Sequence, residues 1–290
     1  MLALWALFLL SALVISWALE IDSRLTLSGN ANRVLEAEAL ACSGAEVALH
    51  PLIKPNSPNL SHRVPPRGSY EVRITGEGGR LNLNWLLAGE NPTRLEILRK
   101  YLELKHIDLN ERDRMIDCLL DWVDPDDLVR LNGAEREGDY RPSNTLLTRI
   151  EELKGVKGWE QFTSVPGWED DFTLNSINGG IDPAWASRDV LLALPGMTES
   201  IVDRFLQLRR GPDGIDGTAD DTQFKSKEEI GAAFGLSPEQ FQEIAPLITF
   251  PPEPTFRIVS VGKSGDAMRT VQMIVRKSGT IPQQIAWREF

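Results

Sequence analysis

Hydrophobic positions fall along this chain in three different patterns. Residues 1–19, MLALWALFLLSALVISWAL, are apolar throughout; Ser11 and Ser16 are the only polar side chains, and there is no charge, Gly or Pro. A lone segment inside lipid must satisfy its own backbone, so it is helical. About 19 residues at 1.5 Å each reach roughly 28 Å, close to the hydrocarbon thickness of a bilayer. Residues 20–47 continue without Pro, and Ile21, Leu25, Leu27, Val34, Leu35, Ala39 and Leu40 recur near helical spacing. The pattern predicts one helix of roughly 45 residues, apolar all round in its first half and amphipathic in its second, ending before Pro51. A cleaved secretion signal is the competing reading. Ser16-Trp17-Ala18 loosely imitates a cleavage site, but no basic residue precedes the apolar run.

Beyond a Pro- and Ser-rich loop at 52–68, residues 69–74 (SYEVRI) and 80–85 (RLNLNW) alternate apolar with polar around a Gly-rich turn, which predicts a hairpin. Residues 92–250 turn helical: 94–104 and 111–123 are amphipathic, and short helices are expected at 148–153, 187–194, 199–208 and 238–248. Alternation returns at 255–261, 269–275 and 281–287. An isolated hairpin is marginal in water. The strands before and after the helical block are therefore expected to share one antiparallel sheet, which makes the fold α+β with a large inserted helical domain. The predicted divisions are 1–50 for the long helix, 51–91 for the first part of the sheet, 92–250 for the insertion and 251–290 for the last strands. Within the insertion, residues 150–162 and 228–241 are weakly self-similar, and 190–208 (VLLALPGMTESIVDRFLQL) has a helix-hairpin-helix form. Such units often hold nucleic-acid phosphate, but Thr198 stands where a second Gly is usual and Glu199 puts a carboxylate where phosphate would sit.

Charge narrows the partners. A net charge of −11 repels phosphate, so no nucleic acid is expected, whereas acid patches suit divalent cations or basic partners. Two cysteines, Cys42 and Cys118, are too few for a disulfide framework and are expected as small buried hydrophobes. His50, His62 and His106 are scattered and near no acid pair, so no catalytic dyad is formed and no enzyme is expected. Trp122, Trp159, Trp168 and Trp185 are expected mainly in the core.

The most specific chemistry lies in residues 211–222, GPDGIDGTADDT. Asp213, Asp216, Asp220 and Asp221 fall within nine positions among three glycines. Glycines allow the tight turns that point several carboxylates inward, and calcium takes six to eight hard oxygens in irregular geometry. The spacing is not that of an EF-hand, and a solvated Asp-Gly turn is the plainer alternative. A second acidic group follows Trp122. Asp124, Asp126, Asp127 and Glu135 are candidate ligands for another calcium, with Asp121, Glu137 and Asp139 close by, or else helix-capping and solvent-facing acids.

These residues bring the chain close to a known family. The apolar start with LWALFLL, the run CLLDWVDPDD at 118–127 followed by Gly133-Ala134-Glu135 and Tyr140-Arg141-Pro142, TRIEELKGV at 148–156 and LNSING at 174–179 resemble the minor pseudopilin K of type II secretion systems (GspK, general secretion pathway protein K) over essentially the whole length. The resemblance implies a pilin-like fold, with the long helix packed on the antiparallel sheet. It also implies a place at the tip of a periplasmic pseudopilus with minor pseudopilins I and J, and calcium in the helical domain; secreted proteins are a further candidate partner. Such a protein is anchored in the inner membrane by one pass before assembly, with its bulk in the periplasm, and Trp5, Phe8, Leu9 and Leu13 would pack on partner helices afterwards. Prepilins of this kind begin with a short basic leader, whereas this sequence opens inside the apolar run. Most pilins also carry a Glu early in the helix. No acid precedes Glu20, as is usual for subunit K. The rival expectation is a membrane-anchored helix-hairpin-helix module that binds nucleic acid or a protein ligand.

Overall fold

The computed structural model describes residues 2–218, 220–279 and 281–290; Met1, Ala219 and Thr280, which fall in the apolar opening, the acidic loop and the last turn, lie outside the described residues. The long helix forms as expected: α1 (Leu2–Leu49) is 48 residues long and stops just before Pro51. It is long and apolar enough for one membrane pass, and its residues 3–25 are exposed.

The strands are β1 (Ser61–Val64), β2 (Gly68–Gly76), β3 (Leu81–Asn82), β4 (Phe172–Thr173), β5 (Thr255–Ser264), β6 (Ala267–Arg276) and β7 (Gln283–Glu289). Five of them make one sheet in the order β1-β2-β5-β6-β7. The strands on either side of the helical block are thus neighbours, so the block is an insertion between β2 and β5. β1 runs antiparallel to β2. Thr270 and Phe290 exchange both backbone hydrogen bonds, at 3.1 and 2.9 Å, the signature of an antiparallel pair. The predicted hairpin is corrected, because the partner of residues 69–74 is β1. Residues 80–85 become the short β3, parallel to β4, and then a helix. The alternation of RLNLNW coincides with a helix start: the Asn82 side chain accepts from the Trp85 amide at 3.1 Å and caps α2 (Leu83–Leu87).

The chain divides into two units. The first comprises Met1–Ile74, Ile258–Met273 and Ala286–Phe290. In it the buried stripe of α1 is Ala37, Leu40, Ala41, Gly44, Ala45 and Ala48, a helical period of mostly small residues. Small residues bring helix and strands close. A Cβ on Gly44 would strike Ser260, Val72 and Tyr70, and one on Gly262 would strike the backbone of Ala37 and Ala41. Cys42, expected to be buried, is only half-buried because it flanks this stripe; Cys118 is buried, and both thiols are free.

The second unit comprises Thr75–Arg257 and Ile274–Ile285. Its helices after α2 are α3 (Pro92–Leu104), α4 (Leu109–Val123), α5 (Glu160–Thr163), α6 (Arg188–Leu192), α7 (Glu199–Arg209), α8 (Lys227–Phe234) and α9 (Pro238–Ile244). Asn91, Asp108, Ser187, Thr198, Ser226 and Ser237 cap the N-termini of all of these but α5 through side-chain oxygens. Of the four tryptophans expected in the core only Trp159 is fully buried, with its indole donating to the Met115 carbonyl at 2.8 Å; Trp122, Trp168 and Trp185 are half-buried. At the base of the insertion lies a buried ion cluster. Glu77 accepts from Arg257 at 2.8 and 3.0 Å, from Arg80 at 3.2 Å and from the Thr173 hydroxyl at 2.6 Å. Burial alone would raise the Glu77 pKa, but Arg257 and Arg80 outweigh it and hold the carboxyl below its usual range.

Two expectations follow for the full-length chain in detergent. Gly262→Val should cost about 1–3 kcal/mol of stability through overpacking against α1, read as a lower Tm. Glu77→Gln leaves two buried guanidinium groups without their anion and should cost about 3–5 kcal/mol at neutral pH. Because the folded pKa of Glu77 is depressed, its contribution is present above the unfolded carboxylate pKa and lost as pH falls through the folded value. The gap between variant and parent in denaturant melts should therefore close under acid.

Candidate metal centre and assembly surfaces

The amphipathic helix α4 buries Met115, Ile116, Leu119 and Leu120, and the turn that buries them also carries Asp121 into the interior. Asp124 follows one turn later as the C-cap residue, on the same face. The chain then loops back so that Glu135 joins them, and one carboxylate oxygen from each of Asp121, Asp124 and Glu135 lies within 4.8 Å of the others. Gly133 permits this approach, because a Cβ there would collide with the Asp121 carboxylate. Arg130 enters the same space. Its Nη1 donates to Asp121 at 2.5 Å and also to Asp124, its Nη2 donates to Glu90 at 2.6 Å, and its backbone amide donates to Asp121 at 3.2 Å.

Three oxygens in this cluster have no donor. Asp124 Oδ1 and both carboxylate oxygens of Glu135 are shielded from solvent and accept no hydrogen bond. Burial pushes the Glu135 pKa up, and Asp121, Asp124, Asp127 and Asp126 add to the rise. Oxygens buried this way are costly unless a cation or proton meets them. The donor set is all hard oxygen, which suits calcium or magnesium and not a soft metal. Asp126 and Asp127 stay outside. Both are exposed; Asp126 accepts from the Leu128 amide at 2.8 Å, and Asp127 accepts from Asn144 at 3.3 Å. Asp121 takes their place, and its spacing of three from Asp124 is the signal that points to it.

The glycine-rich loop between α7 and α8 is built differently. Asp213, Asp220 and Asp221 each offer an oxygen within 4.8 Å of the others, but Asp213 and Asp220 are exposed. Their oxygens already have donors within the loop. Asp220 accepts from the Asp213 amide at 3.2 Å and from Thr218 at 2.7 Å, Asp221 from the Gly217 amide at 2.6 Å, and Asp213 from the Ile215 amide at 2.8 Å. The hydrogen bond from Thr218, then that from the Asp213 amide, lowers the Asp220 pKa. Asp216 turns away to Arg209, at 2.7 and 3.0 Å, and to Arg210, at 3.1 Å.

Two segments singled out in the sequence are held by groups that its pattern does not reveal. The LNSING segment is held by buried Glu253, whose two oxygens accept from the amides of Ile177 and Asn178 at 2.7 and 2.6 Å. Near it, burial first and Glu253 second push the Asp182 carboxyl up to about 7. The turn between α6 and α7 is closed by its own ion pairs. Arg188 meets Asp203 at 2.6 Å and Glu199 at 3.1 Å, so the carboxylates at this turn are matched inside the unit. On α1 the four residues expected to pack on partner helices, Trp5, Phe8, Leu9 and Leu13, are all exposed, and Trp5 and Phe8 meet edge to face at 6.2 Å.

A long apolar-then-amphipathic helix, a five-stranded sheet and a helical block inserted between neighbouring strands define a pilin-like α+β protein. The comparisons show what it is similar to. Residues 79–163 match the family model of the type II secretion system (T2SS), protein K. A type II secretion system protein K from Dickeya chrysanthemi is 30% identical over 71 residues; that stretch is 24% of this chain and spans only 20% of the relative. A solved GspK–GspI–GspJ complex from the type 2 secretion system of enterotoxigenic Escherichia coli contains a chain of similar fold, with TM-score 0.61 and 14% identity, over 93% of this chain and 99% of that one. The resemblance to the protein K family, read from the apolar start, residues 118–156 and LNSING at 174–179, is thereby shown, and so is the pilin-like fold it implied.

Proposed function

We propose that this chain is a minor pseudopilin of the K type, acting at the tip of a type II secretion pseudopilus with minor pseudopilins I and J. The observation that carries the reading is the protein K match at residues 79–163, lying within an insertion whose flanking helix and strands are pilin-like. The role is mechanical. Before assembly the exposed apolar part of α1 anchors the protein in the inner membrane by one pass, with the remainder in the periplasm. In the filament the same surface, including Trp5, Phe8, Leu9 and Leu13, exchanges lipid for apolar partner helices, a change that costs little because both are hydrocarbon. Residues 1–19 hold no carboxylate for a subunit stacked above them. A block of more than 150 residues between β2 and β5 is too bulky for such stacking and would cap the filament at that end.

Calcium belongs to the same proposal. Asp121, Asp124 and Glu135 fit it better than Asp213, Asp220 and Asp221, because only the first group has buried oxygens without donors. Bound there, calcium would neutralise carboxylates that the fold forces together. Asp121 and Asp124 terminate α4, Glu135 fixes the returning loop, and Gly133 keeps room for the Asp121 carboxylate.

Chelation should lower the Tm of the full-length chain in detergent, and Glu135→Gln should remove most of that effect while Asp213→Ala with Asp220→Ala leaves it. The reverse pattern would move the ion to the glycine-rich loop, and identical melts with and without chelator would remove calcium altogether. Affinity-tagged full-length chain, co-expressed with pseudopilins I and J and extracted in detergent with calcium, should retain both. Failure to retain either would count against the tip assignment.

A further inference from the structure

The acidic cluster holds a cation of the protein's own, and the two kinds of cation want the same oxygens. Asp121 is wholly buried and Asp124 half-buried, and two such carboxylates without a positive neighbour would oppose folding. Arg130 supplies that charge. One arm of its guanidinium spans Asp121 and Asp124, and the other is tied back to Glu90. A single positive charge does not cover three carboxylates, and Glu135 is the one left without a donor. A divalent cation held by Asp121, Asp124 and Glu135 would share Asp121 and Asp124 with Arg130. A guanidinium in contact with those oxygens opposes a divalent ion by like-charge repulsion if it stays, and by the loss of its own ion pairs if it is displaced.

We propose that Arg130 is the built-in counter-ion of the Asp121–Asp124–Glu135 cluster, which lets the helical unit fold without metal and sets a ceiling on how tightly calcium is held. The inference rests on the calcium reading above and assigns a specificity-determining residue within it. Its physical content is a trade. With Arg130 in place the unit is stable at low calcium and binds the ion weakly. Without Arg130 the unit leans on the ion and binds it strongly.

The test uses full-length chain in detergent, titrated with calcium chloride by isothermal calorimetry, alongside melts with chelator and with excess calcium. Arg130→Gln should melt lower than the parent in chelator, gain more from calcium than the parent does, and bind calcium about tenfold more tightly or better. Arg130→Lys keeps one charge but cannot span both carboxylates and Glu90; it should bind more tightly than the parent by a smaller factor, which preserves the test if the Gln variant does not fold. Binding no tighter than the parent in the variants that fold overturns the role of Arg130. If the parent takes up no calcium that Glu135→Gln abolishes, the metal reading itself fails, and this inference with it.

Discussion

The fold depends on closing a very long excursion of the chain, and the contact that closes it is the buried Glu77–Arg257 pair. The two residues are 180 positions apart, one just after β2 ends and the other just after β5 begins. Between them lie most of the second unit's helices. The entropic cost of closing such a loop grows only slowly with its length. It must still be met by contacts at the two ends, and a pair buried on both sides with a second arginine and Thr173 attached supplies them. The clasp therefore joins the residue that follows β2 to a residue of β5, the two neighbouring strands that bracket the insertion.

Much of this was legible from residue patterns. Apolar continuity and the first following proline set the bounds of α1, because both act locally. The neighbouring position of β2 and β5 followed from the weakness of an isolated hairpin, an argument about energetics and not about motif. Residues 80–85 misled because alternation has two sources. Leu81 and Leu83 alternate with Asn82 and Asn84, but Asn82 is there to cap a helix, and Asn84 bonds the backbone of Leu147 at 2.8 and 3.0 Å. A period of two over six residues does not separate those cases.

The acidic residues teach a related lesson. In the sequence the glycine-rich loop looked the stronger ion site because its aspartates are dense. Density in sequence says nothing about whether the fold supplies donors, and here backbone amides, Thr218 and two arginines supply them. The Asp121 cluster is sparse in sequence, since Glu135 arrives 14 residues after Asp121 by way of a loop. Its distinguishing feature, carboxylate oxygens sealed from water without a donor, is a property of the folded chain alone.

The close fit of Gly262 beneath Ala37 and Ala41 has a mechanical consequence. Where a helix rests on a sheet through large flexible side chains, an axial pull can be absorbed by rotamer changes. Here backbone nests against backbone: even a methyl group on Gly262 would strike the Ala37 carbonyl and the Ala41 amide. A pull on the greasy end of the rod would therefore meet the strands through backbone contact, with no long side chain between to give way first.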